Sequence, residues 1–149
     1  MSPEQGILQT AQQRSTDNGF PYEGAMTPSE AYAILQAGTQ ALLVDVRTKA
    51  ELELVGRVPN ALNIEWAFYP DMVKNEQFAE QLLANVAKNR TVIFMCRTGG
   101  RSHNAAVVAE QLGFDKAYNM LEGFEGEANA QKQRTTVNGW KHANLPWTN

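Results

Sequence analysis

Cys96, Arg97, Thr98, Gly99, Gly100, Arg101 and Ser102 form the stretch of this chain best equipped for chemistry. Cys96 is the single cysteine among 149 residues. A thiolate is a strong nucleophile, and arginines beside it favour the anionic form. Gly99 and Gly100 let the backbone curl so that successive N–H groups converge on an anion. The apolar run Thr91 to Met95 leads into the loop, and a helical pattern begins near Ser102. A thiol is thus placed where a buried strand ends and a helix starts. The unpaired N–H groups of a helix start favour a thiolate or a bound oxyanion.

The residue inventory narrows that chemistry. His103 and His142 are the two histidines, and neither lies in a recognisable partner motif. That argues against a papain-like Cys–His protease and for a thiolate that attacks unaided, with leaving-group charge held by Arg and backbone N–H. No His/Cys/Asp cluster has metal-ligand spacing, and no glycine pattern matches a nucleotide loop. Neither a metal nor another cofactor is therefore expected.

The elements that must position the loop are legible on both sides of it. Thr27-Pro28-Ser29-Glu30 reads as a capping box opening a helix, with Ala31, Ile34 and Leu35 on one face and Gly38 at its end. Ala41 to Arg47 reads as a buried strand with Asp45 and Arg47 at its carboxyl end, where ligands bind in open α/β sheets. Thr48-Lys49-Ala50-Glu51 opens a second capped helix that Gly56 can end. Ala61 to Ile64 reads as a brief strand, followed by an aromatic segment holding Trp66, Phe68, Tyr69 and Met72. Asn75 is placed to cap a helix whose face carries Phe78, Leu82, Leu83 and Val86. Beyond the loop, Ala105, Val108, Ala109 and Leu112 make a helical stripe closed by Gly113, and Ala117 to Met120 forms a further strand. Gly123 and Gly126 break the pattern, Glu127 to Asn138 is polar, and Trp140, Leu145, Pro146 and Trp147 pack back on the body. Alternating strands and helices imply an α/β fold of three layers, a parallel sheet covered on both faces. Residues 1–22 read as a polar tail or loosely docked helix preceding a domain over residues 23–149.

A net charge of −3 disfavours nucleic acid or an anionic membrane as partner. No apolar run is long enough to span a bilayer, and the first residues lack a secretory pattern. A lone cysteine suits a reducing compartment, so a cytoplasmic location is expected.

With these residues in view, the chain resembles the rhodanese (thiosulfate sulfurtransferase) family in its single-domain form, from about Met26 to Trp147. Leu43-Val44-Asp45-Val46-Arg47 with Glu51 resembles the family's first signature. Gly56 to Ile64 is similar to its Gly-His-Ile-Pro-Gly-Ala stretch, with Arg57 and Asn60 departing from it. Cys96 to Ser102 resembles the active-site loop, and residues 123–126 with Trp140 the C-terminal signature, with Phe124 in place of a second Gly. The resemblance implies a rhodanese-like domain with a central parallel sheet of about five strands flanked by helices. It implies that Cys96 takes the outer sulfur of thiosulfate as a persulfide and passes it to cyanide, a thiol or a protein acceptor. It further implies that N–H groups from Arg97 to Ser102 hold the persulfide and that Arg97 and Arg101 attract the anionic donor. Asp45 would pair with an arginine of the loop, and Arg47 with Glu51.

Loop length separates a rival. Tyrosine-phosphatase-type and arsenate reductase loops place an arginine after five intervening residues, at position 102, which is Ser102. Here Arg101 follows after four, a shorter loop suited to sulfur rather than phosphate. A silent interaction module is the other alternative, against which the retained Cys96 counts. His103 is expected on the solvent side of its helix, and Lys132, Arg134 and Lys141 on a solvated face.

Overall fold

The computed structural model describes residues 2–37 and 40–149. Its elements in chain order are α1 (Pro3–Asn18), β1 (Gly24–Met26), α2 (Pro28–Gln36), β2 (Leu42–Asp45), α3 (Lys49–Val55), β3 (Leu62–Asn63), β4 (Ala67–Phe68), β5 (Val73–Lys74), α4 (Phe78–Asn85), β6 (Val92–Met95), α5 (Gly100–Gln111) and β7 (Ala117–Met120). Five strands form a parallel sheet in the order β1-β7-β6-β2-β3, while β4 and β5 pair as a small antiparallel hairpin. The chain is thus the three-layer α/β domain its pattern implied.

Both faces of the sheet are buried, and the strand period of two sorts its side chains. Val44, Val92 and Phe94 join Phe78 and Leu82 of α4 and Ala105, Ala106 and Ala109 of α5 in one core. Leu43, Ile93 and Met95 point the other way, into a core with Ala11 of α1, Ile34 of α2, Phe124 and Trp140. Three alanines on α5 bring that helix close to β6, which fixes where its N-terminus lies. Phe94 and Phe124 are fully buried, each contributing about 1.5–3 kcal/mol of transfer free energy.

Local signals explain the helix starts. Ser2, Thr27 and Thr48 each complete a reciprocal capping box, with Gln5, Glu30 and Glu51 respectively. The helix α1 ends at Gly19 in the left-handed region and docks against β1. There Arg14 donates to the Ala25 carbonyl at 2.9 Å and pairs with Glu30.

Several expectations shift. Gly38, the expected end of α2, lies outside the described residues. β1 carries no sequence pattern of its own and completes the sheet beside β7. Asn75 does not cap α4. Its side chain accepts from Gln77 N–H and donates to the Glu65 carbonyl and Gln81, bracing the segment before the helix. Leu83 is exposed rather than on the inner face of α4, because α4 packs through Phe78 and Leu82. The helix α5 starts at Gly100, two residues ahead of Ser102, because Gly99 turns the chain with φ 110°.

Candidate active site

Strand register delivers the loop. Asp45 of β2 stands opposite Met95 of β6, so the carboxyl ends of the two strands are level and Cys96 follows at once. Cys96 is 1% exposed. Its Sγ accepts the Gly99 N–H at 3.1 Å and lies 3.4 Å from Oγ of the buried Ser102. The N–H groups of residues 97, 98, 100, 101 and 102 make no hydrogen bond among the described residues. They are donors at a helix start with no acceptor, which is how backbone binds an anion.

The rear of the loop is fastened to the turn after β7. The Cys96 carbonyl accepts Phe124 N–H at 2.8 Å, and the Arg97 carbonyl accepts Glu125 N–H at 3.1 Å and Gly126 N–H at 3.2 Å. Gly123 permits this approach. Its φ is 72°, and a Cβ there would lie 2.3 Å from the Arg97 oxygen. The glycines at the end of the chain's pattern are therefore part of the site's frame.

The charged residues meet in different pairs from those the resemblance implied. Asp45 pairs with Arg47, not with a loop arginine. Its Oδ1 accepts the Arg47 backbone N–H at 3.0 Å and Nε at 3.0 Å, and its Oδ2 accepts Nη2 at 2.7 Å. Both residues are buried, Nη2 also donates to the Gly56 carbonyl at 2.9 Å, and the guanidinium lies 4.2 Å from the Phe124 ring centre. Residues two apart on an extended chain share a face, so Arg47 folds back under β2 and is unavailable to Glu51. Glu51 instead leaves the first turn of α3 toward the loop and takes Arg101 in a bidentate pair of 2.7 and 2.9 Å. Burial opposes the charge on Glu51. The Arg101 guanidinium and the Thr48 donors outweigh it and hold the carboxyl at about 2. Burial likewise opposes the charge on Arg101, and Glu51, with smaller help from Cys96 and Asp45, raises it. Arg97, half exposed, faces Glu125 at 3.4 Å.

A basin of about 370 Å³ opens in front of these pairs. Val55, Tyr69, Pro70 and Met72 supply its apolar wall. Of the aromatic segment, Tyr69 and Met72 therefore share a basin with Arg97 and Arg101 of the loop. Trp66 instead packs edge-on against Phe78, and Phe68 lines a separate depression beside Lys49. His103 is half-buried rather than solvent-facing. Its Nδ1 lies 2.7 Å from the Tyr22 hydroxyl, and its ring packs edge-on against Phe20 and Tyr22. Burial pushes the Tyr22 hydroxyl up to about 12, against a smaller opposing pull from Asn119.

Sequence reasoning missed two contributors. Asn119, buried in β7, donates from Nδ2 to the Gly99 carbonyl at 3.3 Å and so helps fix the peptide that follows the Sγ donor. An amide inside an otherwise apolar strand was the available signal. Glu125 gave none, because its partnership with Arg97 depends on the turn after β7.

The buried thiol, the open N–H groups and the strand-end position make a cysteine loop at the carboxyl edge of the sheet, and comparison with known proteins identifies the domain that carries it. The rhodanese-like domain profile matches residues 27–130, and the chain belongs to that family. An uncharacterized protein of Rickettsia prowazekii is 36% identical over 121 residues, covering 80% of this chain and 92% of that one. A protein of Allochromatium vinosum named sulfurtransferase is 31% identical over 96 residues, covering 64% of this chain and 79% of that one. The crystal structure of Rv0390 from M. tuberculosis superposes with a TM-score of 0.78 at 38% identity, covering 85% of this chain and 98% of that one.

Proposed function

We propose that the protein is a sulfurtransferase that moves sulfane sulfur from thiosulfate, or a related donor, to cyanide, a thiol or a protein acceptor through a persulfide on Cys96. The observation carrying this reading is the loop itself. Sγ accepts the Gly99 N–H at 3.1 Å while the other N–H groups of the loop stay unpaired. In the first step the Cys96 thiolate attacks the outer sulfur of thiosulfate. The donor's S–S bond breaks, its electron pair leaves with sulfite, and a new S–S bond forms at Sγ. The open N–H groups suit the charge on the terminal sulfur. In the second step the acceptor attacks that terminal sulfur and the Cys96 thiolate departs.

Ser102 stands where a phosphatase-type loop needs arginine and is buried against Sγ instead, which favours sulfur over phosphoryl transfer. The sulfurtransferase relative supports the same reading, and a reducing cytoplasm would keep the thiol free. Incubation with saturating thiosulfate, followed by intact mass measurement, is expected to add one sulfur. The gain should be absent in Cys96→Ala and reversed by cyanide. No gain with thiosulfate or with an organic persulfide, or Cys96-dependent hydrolysis of an aryl phosphate instead, would overturn the proposal.

A further inference from the structure

The mouth of the site is electrically balanced. Arg97 faces Glu125, and Arg101 is held bidentate by Glu51. Two guanidinium groups thus meet two carboxylates in the walls of one basin. Both carboxylates belong to the frame of the fold. Glu51 caps α3 through Thr48 N–H at 3.0 Å, and the Glu125 backbone anchors the Arg97 carbonyl. A dianion entering here sheds hydration and finds both loop guanidinium groups already committed, so the open N–H groups of the loop are the donors left to it.

The wall facing these pairs has the opposite character. Tyr69 is 62% exposed and Met72 43%, and with Pro70 they stand on the turn between β4 and β5. Tyr69, Pro70 and Met72 thus give the basin an apolar wall beside a polar floor, the pattern of a small-molecule site. The basin, about 370 Å³ in volume, leaves room for an organic group beside the loop arginines.

We infer that the site takes its sulfur from an organic persulfide, R–S–SH, in preference to the thiosulfate dianion. Glu51 and Glu125 set that preference by neutralising the loop arginines, and Tyr69, Pro70 and Met72 receive the organic group R. The inference rests on the persulfide chemistry proposed above and names its donor class. The Cys96 thiolate attacks the sulfane sulfur of R–S–SH, the donor's S–S bond breaks with its electron pair leaving on R–S⁻, and the new S–S bond forms at Sγ. The sulfane hydrogen travels with its sulfur, so no external oxidant or reductant enters. The departing group carries one charge where sulfite carries two.

The test uses the full chain and two probes, benzyl persulfide and sodium thiosulfate. Loading of Cys96 is followed by intact mass in single turnover, and each rate constant is divided by that of the same donor with free cysteine. The normalised ratio is expected to favour benzyl persulfide by about tenfold or more. Glu125→Gln, which releases Arg97, should shift the ratio toward thiosulfate by about tenfold, and added salt should erase the shift. Tyr69→Ala should raise the half-saturating concentration of benzyl persulfide more than that of thiosulfate. A ratio at or below one, or an unmoved ratio in a folded Glu125→Gln protein, would overturn the inference and leave the sulfurtransferase reading standing. Failure of both probes to load Cys96 would overturn both.

Discussion

Gly123→Ala tests the frame of the loop most directly. Gly123 sits at φ 72°, and a Cβ there would lie 2.3 Å from the Arg97 oxygen, 2.4 Å from its carbonyl carbon and 2.5 Å from Thr98 N. All three atoms are backbone, so no side chain can swing aside. Holding alanine in the left-handed region costs about 1–2 kcal/mol, and overpacking adds about 1–3 kcal/mol. The expected loss is therefore roughly 2–5 kcal/mol, or about 5–15 °C in Tm for a chain of this size. Relief requires residues 97–98 to move outward, which carries Gly99 away from Sγ. Gly100→Ala is the matched control. Nothing lies within 4 Å of a Cβ at Gly100, so its Tm should change by no more than about 4 °C. Calorimetric melting and Cys96 loading would be measured on both variants. A Gly123→Ala protein that melts within about 2 °C of wild type and loads normally would refute the account of the turn after β7 as the loop's anchor.

Arg47→Ala strips the buried Asp45 of its partner and should cost about 3–5 kcal/mol in urea unfolding, whereas the double change Asp45→Leu with Arg47→Met should recover much of it. A single variant as stable as wild type would contradict the pairing. Glu51 is held at about 2, below its ordinary value of 4.5, so its contribution to stability is complete above about pH 4.5 and is lost as the pH falls toward 2. Glu51→Gln should therefore flatten the decline of Tm across that window, and an unchanged acid profile would count against the Arg101 pair. Arg101→Ala removes charged hydrogen bonds of about 1.5–3 kcal/mol beside the loop and should slow Cys96 loading roughly tenfold or more. Lys132→Ala, on an exposed turn, should change it less than about twofold. Equal effects would sink the assignment.

Much of the fold was legible because its signals are local. Thr27 with Glu30 and Thr48 with Glu51 each announce a helix start within four residues, and the apolar run before Cys96 marks a central strand without outside help. β1 was not legible. Three residues, one a glycine, become a strand only because β7 offers a ladder and because the missing Cβ of Gly24 lets Tyr118 and the backbone at Ala11 close in. The site divides the same way. Residues 96–102 are contiguous, so their chemistry reads directly. The pairing of Asp45, Arg47, Glu51 and Arg101 depends on where each side chain travels after its element ends, and proximity in sequence to Asp45 decided Arg47. Glu125 and Asn119 reach the loop only through the return of the chain after β7.

The lengths of the outer strands carry a consequence for association. β1 has three residues and β3 has two, while the central strands β2, β6 and β7 have four each. An edge presents unpaired N–H and C=O groups to any passing chain, and a long flat edge templates aggregation. Here an intruding strand finds two or three rungs at either side, too few to repay the entropy of ordering it. The longest strands are confined to the middle of the sheet. Short edges at both sides thus leave the sheet little to offer a strand from a neighbouring chain.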